Sequence, residues 1–264
     1  MKSPIGYEVD GPIAVITLDT PATRNALASQ AQYEGIEAAC AAISRDRGIR
    51  AAIVTGAGSA FCAGGDIKQM LERVQDPRLE AVDDRYHYKE GIHRIPLALY
   101  QLEVPTIAAV NGPAIGAGLD LACMCDVRIA APHARFAESF VKLGIIPGDG
   151  GAFLLQRLVG PSKAAEMTFT GDAIDAEEAL ACGLVSAVVP EAQLMAHAVR
   201  LALRMAANPP HALRMAKRLM REAQHARLET VLELSAAFQA IAHHSRDHAE
   251  RIAKAVGQLG RASA

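Results

Sequence analysis

Strand-like and helix-like segments alternate along this chain up to about residue 190, and only helix-like segments follow. Residues 13–19 and 49–56 are β-rich and apolar, whereas residues 26–44 between them are rich in alanine with apolar residues at helical spacing. This alternation favours an α/β fold, and the helical remainder indicates an appended α-helical region. We therefore predict a core of residues 1–195 that carries the functional site, and a helical oligomerisation region of residues 196–264.

The amino-acid composition limits the classes of binding partner that this chain can have. The chain has 264 residues, is 51% apolar and carries a formal net charge of -2. Nucleic-acid binding needs clustered Lys and Arg, so this balance argues against nucleic acid as the main partner. The one basic stretch, residues 212–227, has its apolar residues at helical spacing, which predicts an amphipathic surface helix. We expect no membrane partner, because no apolar run reaches the ~18 residues that span a bilayer.

The five cysteines and the N-terminal residues indicate in which cellular compartment the protein lies, and the cysteines also indicate whether it binds a metal. The cysteines are an odd set without a Cys-x-x-Cys pair, which is typical of reduced, mostly buried thiols. The first residues lack the pattern of a secretory signal, so we expect a cytoplasmic protein. No spacing of cysteines or of the nine histidines makes a convincing metal site, and we interpret the histidines as surface or packing residues.

Two glycine-rich turns, each between a predicted strand and a predicted helix, are candidates for a functional site. The first spans residues 63–66, and the second spans residues 111–118. The start of a helix presents unpaired N–H groups, and small residues let a ligand approach them closely. Two such N–H groups can converge on one oxygen as it becomes negative. The alternative for either turn is that its glycines only shape the chain; neither matches a dinucleotide fingerprint or a P-loop.

Asp120 is a candidate for proton transfer. It lies in the first turn of the helix that follows the second glycine-rich turn, between Leu119 and Leu121. These apolar neighbours favour burial, and burial raises the pKa of a carboxyl toward neutral pH, where it can exchange protons. The alternative is a carboxylate that only interacts with the helix dipole.

Four segments, in order along the chain, resemble the crotonase superfamily, the enoyl-CoA hydratases and isomerases. They read FCAGGDIKQM, PTIAAVNGPAIGAGLDLACMCDVRIAA, FAESFVKLGIIPGDGG and TGDAIDAEEALACGLVSAVVP. The likeness extends over nearly the whole chain. It implies a crotonase-like spiral of ββα units with a C-terminal α-helical trimerisation region, assembled as a homotrimer or a dimer of trimers.

The resemblance also implies a set of site residues. The backbone N–H groups of Gly65 and Ala117 would hold the carbonyl oxygen of a CoA thioester. The CoA nucleotide would lie along residues 23–28 and 61–68. The neighbouring residues assigned to substrate binding are Arg24, Ala26, Ala63, Gly64, Asp66, Ile67, Lys68 and Gly116. Arg24 and Lys68 would lie near the phosphates, with a solvated surface cation as the alternative for each.

The carboxylates depart from the hydratase pattern. Hydratases of the family carry two Glu residues; the first position is Asp120 here, and the second is Phe140, which cannot transfer a proton. Asp149 lies in a loop that contributes an acid in dienoyl-CoA isomerases, with a plain turn residue as the alternative. Glu138, on a predicted strand, would face the same side as Phe140 and could substitute for the missing Glu. Its alternative is a surface or inter-subunit salt bridge.

These residues predict an acyl-CoA enzyme that stabilises a thioester enolate and moves protons with Asp120 and Asp149. A double-bond shift is favoured over hydration, because the second hydratase Glu is Phe140. The alternatives are an ordinary 2-enoyl-CoA hydratase and a non-catalytic CoA-binding scaffold. We expect no permanently bound cofactor, with coenzyme A entering only as part of the substrate.

Overall fold

A computed structural model describes residues 3–262. Within that range nine strands lie in two sheets. The strands are β1 (Ile5–Asp10), β2 (Ile13–Leu18), β3 (Ala51–Gly56), β4 (Thr106–Val110), β5 (Ala114–Ile115), β6 (Val127–Ala130), β7 (Arg135–Ala137), β8 (Ala173–Asp175) and β9 (Ala187–Val188).

The larger sheet has the strand order β1-β2-β3-β4-β6-β9. Its first two strands form an antiparallel hairpin, and the remaining neighbours are parallel. The smaller sheet has the order β5-β7-β8, and its first strand, β5, lies within the second glycine-rich turn. Strands β3 and β4 are almost wholly buried, as expected of parallel strands that are covered on both faces.

Twelve α-helices lie within the described range. They are α1 (Gln30–Arg45), α2 (Ile67–Gln75), α3 (Ala81–Glu90), α4 (Arg94–Tyr100), α5 (Ala117–Cys123), α6 (Gly151–Val159), α7 (Pro161–Thr170), α8 (Ala176–Ala181), α9 (Leu194–Ala206), α10 (Pro210–Glu222), α11 (Leu228–His243) and α12 (Arg246–Ala262). The prediction of an α/β core followed by helices alone is confirmed. No helix within residues 3–262 is long and apolar enough to cross a membrane.

The larger sheet separates two apolar clusters. Neighbouring side chains of a strand point to opposite faces, so Val54 packs in the cluster with α1 and α5, whereas Ile53 packs against α9. Ala198 and Ala202 of α9 are fully buried against that second face. The first helix of the predicted appended region therefore packs directly on the core, and the boundary at residue 195 stays a prediction.

The last helices differ from the core in their burial. The basic stretch forms the amphipathic helix α10, as predicted, and its buried Lys217 places Nζ 2.6 Å from a carboxylate oxygen of Asp126. Helix α11 buries none of its residues within this chain and exposes Leu228, Leu232 and Ile241.

Candidate active site

The two glycine-rich turns are joined through their backbones. Cys62 pairs with Ala114 in a parallel bridge, and the N–H of Ile115 donates to the Cys62 carbonyl at 3.0 Å. Gly118 lies so close to Cys62 that a Cβ there would collide with the same carbonyl oxygen. A glycine is therefore required for this approach, and the two turns form one structural unit.

An early loop braces the first turn from the other side. The N–H of Leu27 donates to the Gly64 carbonyl at 2.7 Å, and the N–H of Ala63 donates to the Arg24 carbonyl at 3.0 Å. These bonds fix the backbone on either side of Gly64. The loop therefore holds the backbone that leads to Gly65 in place.

Asn25 locks that early loop, a role that the sequence analysis did not anticipate. It is fully buried with a φ of 58°, a left-handed conformation that Asn tolerates better than most residues. Its Nδ2 donates to the Ala60 carbonyl at 2.8 Å, and its Oδ1 accepts the Thr20 N–H at 2.9 Å. An isolated Asn in a loop gives no sequence signal for this bracing.

A cavity of about 430 Å³ opens beside the joined turns, and Gly65 and Ala117 both line it. Ala117 is the first residue of α5, where an N–H has no acceptor within the helix. Within the described part of the chain, neither the Gly65 nor the Ala117 N–H donates a hydrogen bond. Two residues of the cavity wall, from distant parts of the sequence, thus carry backbone N–H groups that are free to donate.

The remaining predicted binding residues divide into three groups. Asp66 and Ile67 line the cavity, and Asp66 caps α2 by accepting the Lys68 N–H at 2.8 Å. Arg24 and Lys68 are exposed and do not line the cavity. The other four contribute backbone to the turns and the bracing loop: Ala26, Ala63, Gly64 and Gly116.

Phe140 lines the cavity and is buried. It lies in a 3₁₀ turn, Ser139–Leu143, that follows β7, and its ring stands over Gly116. Glu138 begins that turn, so the expectation that Glu138 and Phe140 share one face of a strand is wrong. Glu138 is instead fully buried and does not line the cavity, and the alternative of a surface salt bridge is wrong as well.

Asp149 is the buried carboxyl of the cavity wall. It lies just before α6, and Tyr33 and Tyr88 line the cavity with it. Burial raises the pKa of Asp149 to about 6, and the nearby His93 lowers that pKa in part. The His93 ring nitrogen Nε2 is hydrogen-bonded with the Gly148 carbonyl at 2.9 Å. This carboxyl therefore changes its protonation close to neutral pH.

Asp120 lies behind the cavity wall rather than in it. It is fully buried, and its Oδ2 accepts the Gly151 N–H at 2.9 Å. Burial raises the pKa of Asp120 well above its ordinary value, and the charges of Glu138 and Asp149 raise it further. The site thus has one buried carboxyl at the cavity, Asp149, and two enclosed behind it.

Some groups around the acids were not predicted as site residues. Tyr33 comes from α1, Tyr88 from α3 and His93 from the segment before α4, so their proximity to Asp149 depends on the packing of three helices. Spacing along the sequence carries no signal for such a cluster. His93, which is predicted with the other histidines to be a surface or packing residue, lies close enough to Asp149 to lower its pKa.

The chain matches the family model described as Enoyl-CoA hydratase/isomerase over residues 8–255. It is 39% identical to the short-chain-enoyl-CoA hydratase of Clostridium acetobutylicum over 85% of this chain and 84% of that protein. It is 37% identical to the 2,3-dehydroadipyl-CoA hydratase of Escherichia coli over 83% of this chain and 82% of that protein.

Solved structures give the same result for the fold. The crystal structure of an enoyl-CoA hydratase from Bacillus anthracis superposes with a TM-score of 0.89 and 33% sequence identity, covering 97% of this chain and 96% of that chain. An enoyl-CoA hydratase from Polaromonas superposes with a TM-score of 0.89 and 31% identity, covering 96% and 97%. The predicted crotonase-like fold is confirmed by these likenesses.

Proposed function

The chain belongs to the enoyl-CoA hydratase/isomerase family, and from that premise we propose that it shifts a carbon–carbon double bond in the acyl group of a CoA thioester. The single observation that carries the proposal is the cavity wall itself. It combines two free N–H donors, one buried carboxyl at Asp149 and an apolar ring at Phe140. Phe140 is the position at which the sequence resemblance implies the second Glu of hydratases.

The two donors support an enolate-forming reaction. The thioester oxygen would accept both the Gly65 and the Ala117 N–H groups and would gain negative charge as a proton leaves the adjacent carbon. Donors fixed in a water-poor site stabilise such an oxyanion, and the loss of one donor typically costs ~10²–10³ in rate. Both donors belong to backbone that is held by the joined turns and the bracing loop, so little reorganisation is needed.

Asp149 would move the proton. In its ionised form it takes a proton from the carbon next to the thioester of a 3-enoyl group, and the electron pair spreads over a dienolate. The protonated Asp149 then returns that proton to the far carbon of the dienolate, which leaves a 2-enoyl thioester. The proton count balances without water, so one carboxyl at the cavity suffices. A pKa of about 6 suits both directions of this transfer.

The surface cations and the last helices would serve binding and assembly. We propose that the exposed Arg24 and Lys68 contact the CoA phosphates at the rim of the cavity. The exposed apolar residues of α11 support assembly through the C-terminal helices, as a homotrimer or a dimer of trimers. Sedimentation analysis of the purified chain tests the assembly.

Hydration of a 2-enoyl-CoA is the second candidate, and the relatives named as hydratases favour it. It would require Asp149 to activate the water that attacks the acyl chain. Incubation with 2-enoyl, 3-enoyl and dienoyl thioesters, followed by mass spectrometry and NMR of the products, separates the two functions. The double-bond shift predicts isomers of unchanged mass; a product one water heavier as the only product overturns it.

A further inference from the structure

Glu138 is a buried acid that the proposed reaction does not use. It is fully buried, and neither of its carboxyl oxygens has a hydrogen-bond partner within the described residues. The same holds for Oδ1 of the fully buried Asp120. A buried carboxylate without a partner is costly, so a native structure that holds two of them side by side must compensate for them.

The two acids face the same point. A Cβ added at Gly151 would collide with both Glu138 Oε1 and Asp120 Oδ1, which puts these two oxygens on one side of the Gly151 backbone and close to each other. Ionised carboxylates only accept hydrogen bonds, whereas a protonated carboxyl also donates one. One proton placed between Oε1 and Oδ1 would therefore give a partner to two of the three unpartnered oxygens, and only Glu138 Oε2 would still lack one.

The charged surroundings favour this arrangement. Among the described residues neither acid forms an ion pair with a cation. Arg128, on β6, directs its hydrogen bonds to backbone carbonyls such as those of Leu184 and Cys125. The other titratable groups that face the pair are Asp149 and the Cys123 thiol, and neither supplies positive charge. Two carboxylates that share such a site cannot both ionise easily.

We propose that Asp120 and Glu138 form a carboxyl dyad that holds one proton between them, and that Glu138 is thereby a positioning residue for the acid cluster. The dyad carries one negative charge. Its shared proton fixes the Asp120 side chain, which in turn accepts the Gly151 N–H and anchors the start of α6. Asp149 lies just before that start, so the dyad sets the position of the cavity carboxyl.

Infrared spectroscopy of the folded protein tests the shared proton without reference to activity. At pH 7.5 the wild type is expected to show the C=O stretch of a protonated carboxyl, shifted in D₂O. Glu138→Gln and Asp120→Asn should each remove this band, whereas Asp149→Asn and the matched surface variant Glu8→Gln should keep it. Absence of the band from the wild type, or its persistence in both dyad variants, overturns the proposal.

The positioning role rests on the proposed function and has its own readout. Glu138→Ala is expected to lower turnover by up to about 10²-fold with little change in KM, because small misplacements of a catalytic group have costs of this size. Glu138→Gln should restore the turnover that Glu138→Ala loses, since the Gln amide still donates to Asp120. It should also leave the pH profile of turnover unchanged, because the pair of residues 120 and 138 keeps one negative charge. A profile displaced to lower pH in Glu138→Gln would instead indicate two ionised acids and overturn the dyad.

Discussion

The carboxylate of Asp120 accepts the N–H of Gly151 at 2.9 Å, and this bond ties α5 to the start of α6. Ala117, at the start of α5, presents one of the free N–H donors, and Asp149 lies directly before α6. The oxyanion donor and the proposed base are therefore held in fixed relation by one buried hydrogen bond.

Asp149→Asn is expected to lower turnover of the thioester substrate at least ~10²-fold, because the amide cannot accept and return the proton. Binding of a substrate analogue should change little, since the N–H donors and the apolar cavity remain. Steady-state kinetics and calorimetric titration measure the two effects. Asp172→Asn, an exposed acid, is the control. Unchanged turnover would remove Asp149 from the mechanism.

The activity of the wild type is expected to rise with pH through about 6. The base acts in its ionised form, and burial raises the pKa of Asp149 to about 6, so the active form is depleted below that pH. A profile of kcat/KM against pH measures the midpoint. The residual activity of Asp149→Asn should lack this step. A profile that is flat across the range would contradict the assignment.

Asp149→Asn is also expected to stabilise the fold at neutral and alkaline pH. Burial raises the pKa of Asp149 from 3.8 to about 6 in the folded protein, so the folded state favours the protonated carboxyl. The contribution of this carboxyl to stability is therefore present at low pH and is lost as the pH rises through the pKa of the folded state. The substitution should therefore raise the free energy of unfolding by up to about 3 kcal/mol above pH 7, and by little near pH 4. Urea unfolding of both proteins at the two pH values measures this. An equal gain in the free energy of unfolding at both pH values would argue against a buried, titrating carboxyl at Asp149.

Ala117→Pro is expected to lower turnover by ~10²–10³, because proline removes the N–H donor. Proline is tolerated at the first position of a helix, which Ala117 occupies in α5, so the fold should persist. Ala117→Gly keeps the N–H and is the matched control. Circular dichroism checks the fold, and kinetics measure the loss. A proline variant as active as the glycine variant would show that this donor is not used.

Much of the fold was predictable because its signals are local. The alternation of β-rich and helical segments predicted the α/β core, and the helical spacing of residues 212–227 predicted α10. Glycine-rich turns after strands predicted where backbone donors would be exposed. These features depend on a few neighbouring residues, so one sequence carries them.

The arrangement of the acids was not predictable in the same way. The prediction that Glu138 and Phe140 share one face of a strand failed because the strand is one residue too short. Strand β7 ends at Ala137, so the chain turns before Phe140 and the alternation of side chains along a strand no longer applies. The enclosure of Glu138 with Asp120, and the approach of His93 to Asp149, come from packing between segments that are distant in sequence. Tertiary contacts of this kind leave no trace in spacing or composition.

The central claim is that Asp149 moves a double bond and does not direct water onto the acyl chain. The most direct measurement is incubation of a short-chain 3-enoyl-CoA in water enriched in oxygen-18, with the products followed by mass spectrometry. The account predicts a conjugated 2-enoyl-CoA that contains no heavy oxygen. A parallel incubation contains 2-enoyl-CoA. The account would be contradicted if the 3-enoyl-CoA stayed unchanged while the 2-enoyl-CoA became a 3-hydroxyacyl-CoA that carries one heavy oxygen.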